Sequence, residues 1–345
     1  MDILKKIIIF MVVTFKLFIY IINQTIWNSS LVAYLYLIVI FLLSIPFILK
    51  LSFNKSSFIK TFVILFISFI MFAVYREDNI FLYSIVALLT MENNDREVVK
   101  TFFYSAIIIC IVTILLGNIG VLPMNDSYRT IDGKVDVRMS LGFPNANALF
   151  SYVLPIVLAG IYLYDKKPAF NIIALVTTTI LFNFCKSRTG YYITLLVIII
   201  NLLPCKKFIS KISKNSFLYF VIISVLLAVL FGNAKYNEIN TLLSGRPWYY
   251  LKFLKMGPLV WGCGIPNNLI LDNLYLRLLA NYHIVGFGLY YYIFYQGSKL
   301  CNNDQKLLFS SLFLLFYGIF ESVTVVNFVI VIFLKYIFKS YKESV

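Results

Sequence analysis

Apolar runs alternate with short polar connections along almost the whole chain, and a helix needs roughly 20 such residues to cross a bilayer, fewer where neighbours thin it. The pattern predicts helices over 6–23, 31–49, 58–75, 79–91, 100–117, 146–164, 169–185, 189–204, 216–232, 274–296, 307–321 and 323–339. That is an all-α polytopic bundle of about 12 transmembrane helices forming a single integral membrane domain over 1–345. Two longer polar stretches, 118–145 and 233–273, interrupt it. The second concentrates turn chemistry: Ser244-Gly245-Arg246-Pro247-Trp248, then Gly257-Pro258, Trp261-Gly262-Cys263-Gly264, and Asp272-Asn273 just before an apolar run.

Composition strengthens the membrane reading. The chain is 61% hydrophobic and 13% charged, with a mean hydropathy of +0.88, against about 45–50% and about 25% in a soluble globular domain. A net charge of +15 raises nucleic acid as a partner. The basic residues, however, are spread between hydrophobic runs, and no basic, aromatic soluble module gathers them, so no nucleic-acid partner is expected. Eighteen of the 30 Lys and Arg fall in one alternate set of connections, from Lys5 and Lys6 to Lys335, Lys339 and Lys342. By the positive-inside bias that face is cytoplasmic, with both termini on it and both long loops outside. Lys5 and Lys6 before an apolar run resemble a signal peptide, but no small-residue cleavage site follows, so the segment reads as the first span. Lys16 inside it snorkels or marks a partly interfacial segment.

Five scattered Cys without CxxC spacing and a single His give no metal cluster and no disulfide framework, and no cofactor is expected. Charge of another kind stands out in the outer loops, which use arginine: Arg129, Arg138, Arg188 and Arg246. Guanidinium grips phosphate bidentately where ammonium acts as a point charge. Such a bias points to a phosphorylated ligand, although these arginines can also be solvated or paired with Asp126, Asp132, Asp136 or Glu238. Arg138 precedes a Gly/Pro turn in which Asn145 and Asn147 can cap the next helix. Arg188 ends a short connection, where it serves as an interfacial anchor or a ligand. Arg246 follows Ser244-Gly245 and precedes Pro247, so it stands at a helix start, where backbone N–H groups also favour an anion. Asp272 is the acidic group at the end of the second loop, a candidate general base or a helix cap. Glu321 between the last two runs is an acid at membrane depth, functional by default or a helix terminator. Trp248, Trp261 and the Tyr249-Tyr250 pair can stack on sugar rings or pack at the interface. His283 reads as a packed histidine.

Taken in order, Arg138 with Gly142-Phe143-Pro144-Asn145-Ala146-Asn147, Ser187-Arg188, Ser244-Gly245-Arg246 with Trp248, and Asp272-Asn273 with Leu276 resemble the motifs of the Wzy-type O-antigen and capsular polysaccharide polymerases. That resemblance implies a GT-C-like glycosyltransferase at the outer face of a bacterial cytoplasmic membrane. It would join oligosaccharide repeat units carried on undecaprenyl diphosphate, inverting the anomeric carbon and releasing the lipid diphosphate without a metal. It implies catalytic Asp272, Arg246 and Arg138, and substrate contacts from Arg188, Asn145, Asn147, Trp248, Tyr249 and Asn273. A chain-length regulator and a flippase would be its partners besides membrane lipid. The related O-antigen ligases carry His where this chain has Asp272, which favours polymerase. A ligase or teichuronic-type chain transferase remains the nearest alternative, and a lipid-linked oligosaccharide flippase the alternative of another class.

Overall fold

A computed structural model describes residues 2–25, 29–49, 55–75, 79–131, 134–165, 167–203, 212–233, 238, 243–265, 269–321 and 327–339. The protein is almost entirely helical. Its α-helices are α1 (Ile3–Thr25), α2 (Ser29–Ile48), α3 (Lys55–Tyr75), α4 (Asn79–Leu89), α5 (Asp95–Asn118), α6 (Ala146–Tyr164), α7 (Pro168–Cys185), α8 (Arg188–Leu202), α9 (Ser216–Phe231), α10 (Arg246–Lys255), α11 (Leu274–Leu300), α12 (Gln305–Tyr317) and α13 (Phe328–Lys339). Among the described residues, twelve of these helices fall on the twelve apolar runs. The thirteenth, α10, lies inside the second polar stretch. Among the described residues α5, α6 and α7 are long and apolar enough to cross a membrane.

The chain gathers into two compact units, one of Met1–Ser52, Ile85–Cys205 and Val325–Val331, the other of Phe53–Ser84, Lys206–Thr324 and Ile332–Val345. In the first, α5 packs on α1 and α6, and α6 packs on α7 and α8. Asn94 caps α5 by accepting from the Arg96 N–H, with Asp95 and Glu97 in the first turn where carboxylates suit the helix dipole. Arg96 Nη2 in turn donates to the Leu163 carbonyl near the end of α6 (3.2 Å). The first polar stretch is not all loop. Strand β1 (Ser127–Ile131) pairs antiparallel with β2 (Lys134–Arg138), Ser127 opposite Arg138 and Arg129 opposite Asp136. The Asp132-Gly133 pair between them is a hairpin signal that periodicity alone passes over. After β2 the chain turns through Gly142, at φ 81°, pressed on the end of α5. A methyl group there would lie 2.7 Å from the Thr113 carbonyl oxygen, so the close crossing requires glycine.

In the second unit α9 packs on α10, α11 and α12, and α3 packs on α11. Its core joins Ala228 of α9, Tyr250 and Phe253 of α10, Leu269 and Leu271 of the connection, and Leu276, Leu279 and Ala280 of α11. α11 is broken at His283 (φ 59°, ψ −174°), a kink without proline. A break leaves carbonyls of the preceding turn unpaired, and such groups need partners. The Gly262 N–H donates to Leu279 and Ala280 (3.0 Å each) and the Gly264 N–H to Ala280 (2.9 Å). The Trp261-Gly262-Cys263-Gly264 segment is therefore the plug of a helix break. His283 itself is exposed, not packed, because its left-handed backbone turns it out of the helix.

Two further expectations meet the structure differently. Lys335, counted with the cytoplasmic lysines, is 3% exposed inside α13, so it serves within the protein and not as a solvated charge. The last two runs are shorter as helices, α12 ending at Tyr317 and α13 beginning at Phe328. The Lys16 side chain, Asp132, and the Arg129 and Asp136 side chains lie outside the described residues.

Candidate functional site

Two clusters carry the predicted residues. The richer one, in the second unit, is built on a turn, a cap and a stitched chain end. Ser244 (φ 59°) and Gly245 (φ 74°) are both left-handed, and the Arg246 N–H closes on the Leu243 carbonyl (3.3 Å). That is a mirror-image turn, costly at Ser244 and easy at Gly245. It delivers Arg246 as the first residue of α10, with Pro247 preset for the helix behind it. The α11 start is capped by Asn273, whose Oδ1 accepts from the Leu276 N–H (3.0 Å). The capping role open to Asp272 thus belongs to its neighbour.

The residues after α12 are tied down next. The Gly318 carbonyl accepts from the Leu274 N–H (2.7 Å). The Ile319 carbonyl accepts from Asn273 Nδ2 (2.8 Å) and from the Tyr250 hydroxyl (2.9 Å). Burial pushes the Tyr250 phenol up, against the pull of the Arg246 guanidinium beside it, so it stays a neutral donor. Two residues beyond Ile319, Glu321 Oε1 receives Arg246 Nη2 at 2.6 Å, while Asp272 Oδ2 stands 3.9 Å from the same nitrogen. A charge-assisted contact of 2.6 Å is a tight one. The side chains of Arg246 and Glu321 are 11% and 9% exposed, that of Asp272 35%. One guanidinium thus holds two carboxylates, one sealed in and one open.

This arrangement redistributes the expected roles. Glu321, the weaker acidic candidate in the sequence, is the closest partner of Arg246; its position at the end of an apolar run was the signal. Asn273, expected at the substrate, is fully buried, and its amide is used at both ends, on Leu276 and on Ser224 Oγ and Ile319. It holds the loop and offers nothing to a ligand. Trp248 is 45% exposed, edge-on to Tyr249 at 4.9 Å, with Lys252 Nζ 5.2 Å above its ring. It lines a cavity of about 320 Å³ with Asn233, Leu251 and Lys255. Tyr249 is half-buried against the core, so of the two aromatics Trp248 offers the open face.

The second cluster lies in the first unit. Asn145 caps α6, its Oδ1 accepting from the Asn147 and Ala148 N–H groups (3.0 and 2.9 Å). Its amide oxygen is thereby spent on the helix, which leaves Asn147 as the asparagine that meets a functional side chain. Asn147 Oδ1 accepts from Arg138 Nη2 (2.6 Å) and from the Ser187 hydroxyl (3.0 Å). The Met139 N–H donates to the Phe184 carbonyl (3.0 Å), and the Ser140 N–H to Asp126 Oδ1 (2.8 Å). The segment following β2 is thus fixed on α7, and Arg138 with it. Arg188 opens α8 and is exposed; its buried neighbour Ser187, not Arg188, joins the Asn147 amide. Among the described residues no group of three or more His, Cys, Asp or Glu is placed to hold a metal ion.

No family model matches the chain, and no curated protein or solved structure matches it either.

Proposed function

We propose that this chain is a multi-pass bacterial membrane glycosyltransferase that polymerises oligosaccharide repeat units carried on undecaprenyl diphosphate. In this reading all twelve apolar helices span the cytoplasmic membrane, both termini are cytoplasmic, and the two polar stretches work at the outer face. One observation carries it: the carboxylates of Asp272 and Glu321, from two separate segments, converge on one guanidinium nitrogen of Arg246 in a third, and of the two only Asp272 is open to a ligand.

The chemistry follows from that asymmetry. Glu321 anchors Arg246, and Arg246 aims Asp272. The Asp272 carboxylate takes the proton of the acceptor hydroxyl as its oxygen attacks the anomeric carbon. The new glycosidic C–O bond forms on the face opposite the lipid diphosphate, whose own C–O bond breaks, so the configuration inverts. Two carboxylates around one guanidinium make this a site for a proton and not for an anion, so in this proposal Arg246 is a positioning residue and not the anion ligand its helix-start setting suggests. Negative charge building on the departing diphosphate favours preorganised guanidinium donors, each worth about 3–4 kcal/mol in a water-poor site. In this proposal Arg138, held by Asn147, is such a donor, with Arg188 at the next helix start, and Trp248 offers a sugar-stacking face.

Purified protein given undecaprenyl-diphosphate-linked repeat units is expected to produce a ladder of chain lengths, and to keep doing so after chelation of divalent ions. Single transfer to a different lipid acceptor, with no ladder, would favour the ligase-like alternative. The buried Arg246–Glu321 pair also suits a transporter, which would move the lipid-linked unit across vesicles and form no glycosidic bond.

A further inference from the structure

The cytoplasm-assigned end of the first unit carries a groove unrelated to the clusters above. Helices α1 and α5 pack along one another, and Lys5 Nζ donates to Asn93 Oδ1 (3.3 Å) just before α5 begins. The two helices therefore start together and run in the same direction. Between them lies an open groove of about 440 Å³, within the size range of small-molecule sites. Its starting end carries Lys6 of α1 and Lys100 of α5, with Glu97 one turn before Lys100. Ile3 precedes the lysines and Ile7 follows Lys6 directly, while the far end is walled by Phe10 of α1 and Ile108 of α5; Ile7, Phe10 and Ile108 are 45%, 37% and 49% exposed.

A surface that is cationic at one end and apolar at the other is complementary to an amphiphile with an anionic head. We propose that the α1–α5 groove binds one anionic phospholipid, its phosphate on Lys6 and Lys100 and the upper part of an acyl chain along Ile7, Phe10 and Ile108. A neutral zwitterionic lipid satisfies the apolar end but brings a cation to the two ammonium groups. Inorganic phosphate satisfies the lysines but leaves the apolar wall uncovered. Glu97 works against the anion and tempers the affinity. Each lysine near a phosphate is worth about fivefold in binding, about 25-fold for the pair, of which Glu97 takes back about fivefold, leaving a net preference of about fivefold.

The test is lipid retention by the purified full chain in nanodiscs of defined composition, counted by native mass spectrometry. Wild-type protein is expected to retain one phosphatidylglycerol about fivefold more strongly than phosphatidylcholine. Lys6→Gln with Lys100→Gln is expected to abolish that preference, and Glu97→Gln to raise it about fivefold. Ile108→Trp, which fills the apolar end and leaves the charges in place, is expected to weaken retention of the lipid several-fold. Equal retention of the two lipids by wild type overturns the proposal, as does undiminished phosphatidylglycerol binding in the double lysine variant. Competition by inorganic phosphate as strong as that by the lipid would overturn it too, by assigning the lysines to a free anion.

Discussion

The two arginine clusters are variations on one local device. In each an asparagine caps the start of an apolar helix, and this frees a neighbouring side chain to hold an arginine. Asn145 caps α6 and Asn147 receives Arg138; Asn273 caps α11 and Asp272 faces Arg246. They differ in the chemistry of what is held. At Arg138 the partner seen is a neutral amide, shared with a serine hydroxyl. At Arg246 the partners are carboxylates, one of them sealed in with it. An amide hold adds no counter-charge to the guanidinium, whereas the carboxylate hold uses the guanidinium to aim a base. An arginine beside a Gly/Pro turn thus says that something will be gripped, and only its partners say whether that is a ligand or another part of the protein.

The comparison breaks most visibly at the sealed pair. Arg246→Ala leaves Glu321 buried without its closest partner, a change that costs about 3–5 kcal/mol, and it should remove polymer formation as well. Thermal unfolding in detergent reads the first effect. Replacing both partners, Arg246→Met with Glu321→Met, should recover most of the lost stability without recovering activity. A double variant as unstable as the single would mean the pair is not what destabilises it.

Smaller effects sharpen the contrast. Asn273→Ala loses a helix cap and strands the groups its amide served, a cost of about 2–3 kcal/mol. An unchanged melting temperature in that variant would remove Asn273 from the scaffold. Asn147→Ala should cost less, about 1–2 kcal/mol, because Arg138 is only partly buried; its mark should be weaker donor binding, read as a raised KM. Asp272→Asn sits at the bottom of the stability scale. At 3.9 Å and 35% side-chain exposure the ion pair is screened, and its loss should shift stability by less than about 1 kcal/mol. Yet it should slow transfer about 100-fold or more. The two readouts should part at Asp272 and move together at Arg246.

Hydrophobic periodicity placed twelve helices to within a few residues, because apolar runs of this length have few other solutions. It had no access to α10 or the β-strand pair, which lie inside the two polar stretches and are too short to read as spans. Nor could it find the break in α11. That break rests on two backbone N–H groups from Gly262 and Gly264, and a donor of this kind carries no side-chain signature. Of the candidate residues, the turn and helix-start settings of Arg246, Asp272 and Arg138 are legible in the sequence. The pairing of Glu321 with Arg246 and the burial of Asn273 are not, for one reason: what an acid or an amide meets depends on which carbonyls and cations the fold brings to it from 46 to 75 residues away.

The most direct test is to incubate purified wild-type protein and its Asp272→Asn variant with undecaprenyl-diphosphate-linked repeat units and resolve the products by length. The account predicts a ladder from wild type and almost none from a variant that melts at nearly the same temperature. A wild-type protein that forms no glycosidic bond, or an Asp272→Asn variant that builds the same ladder at the same rate, would contradict it.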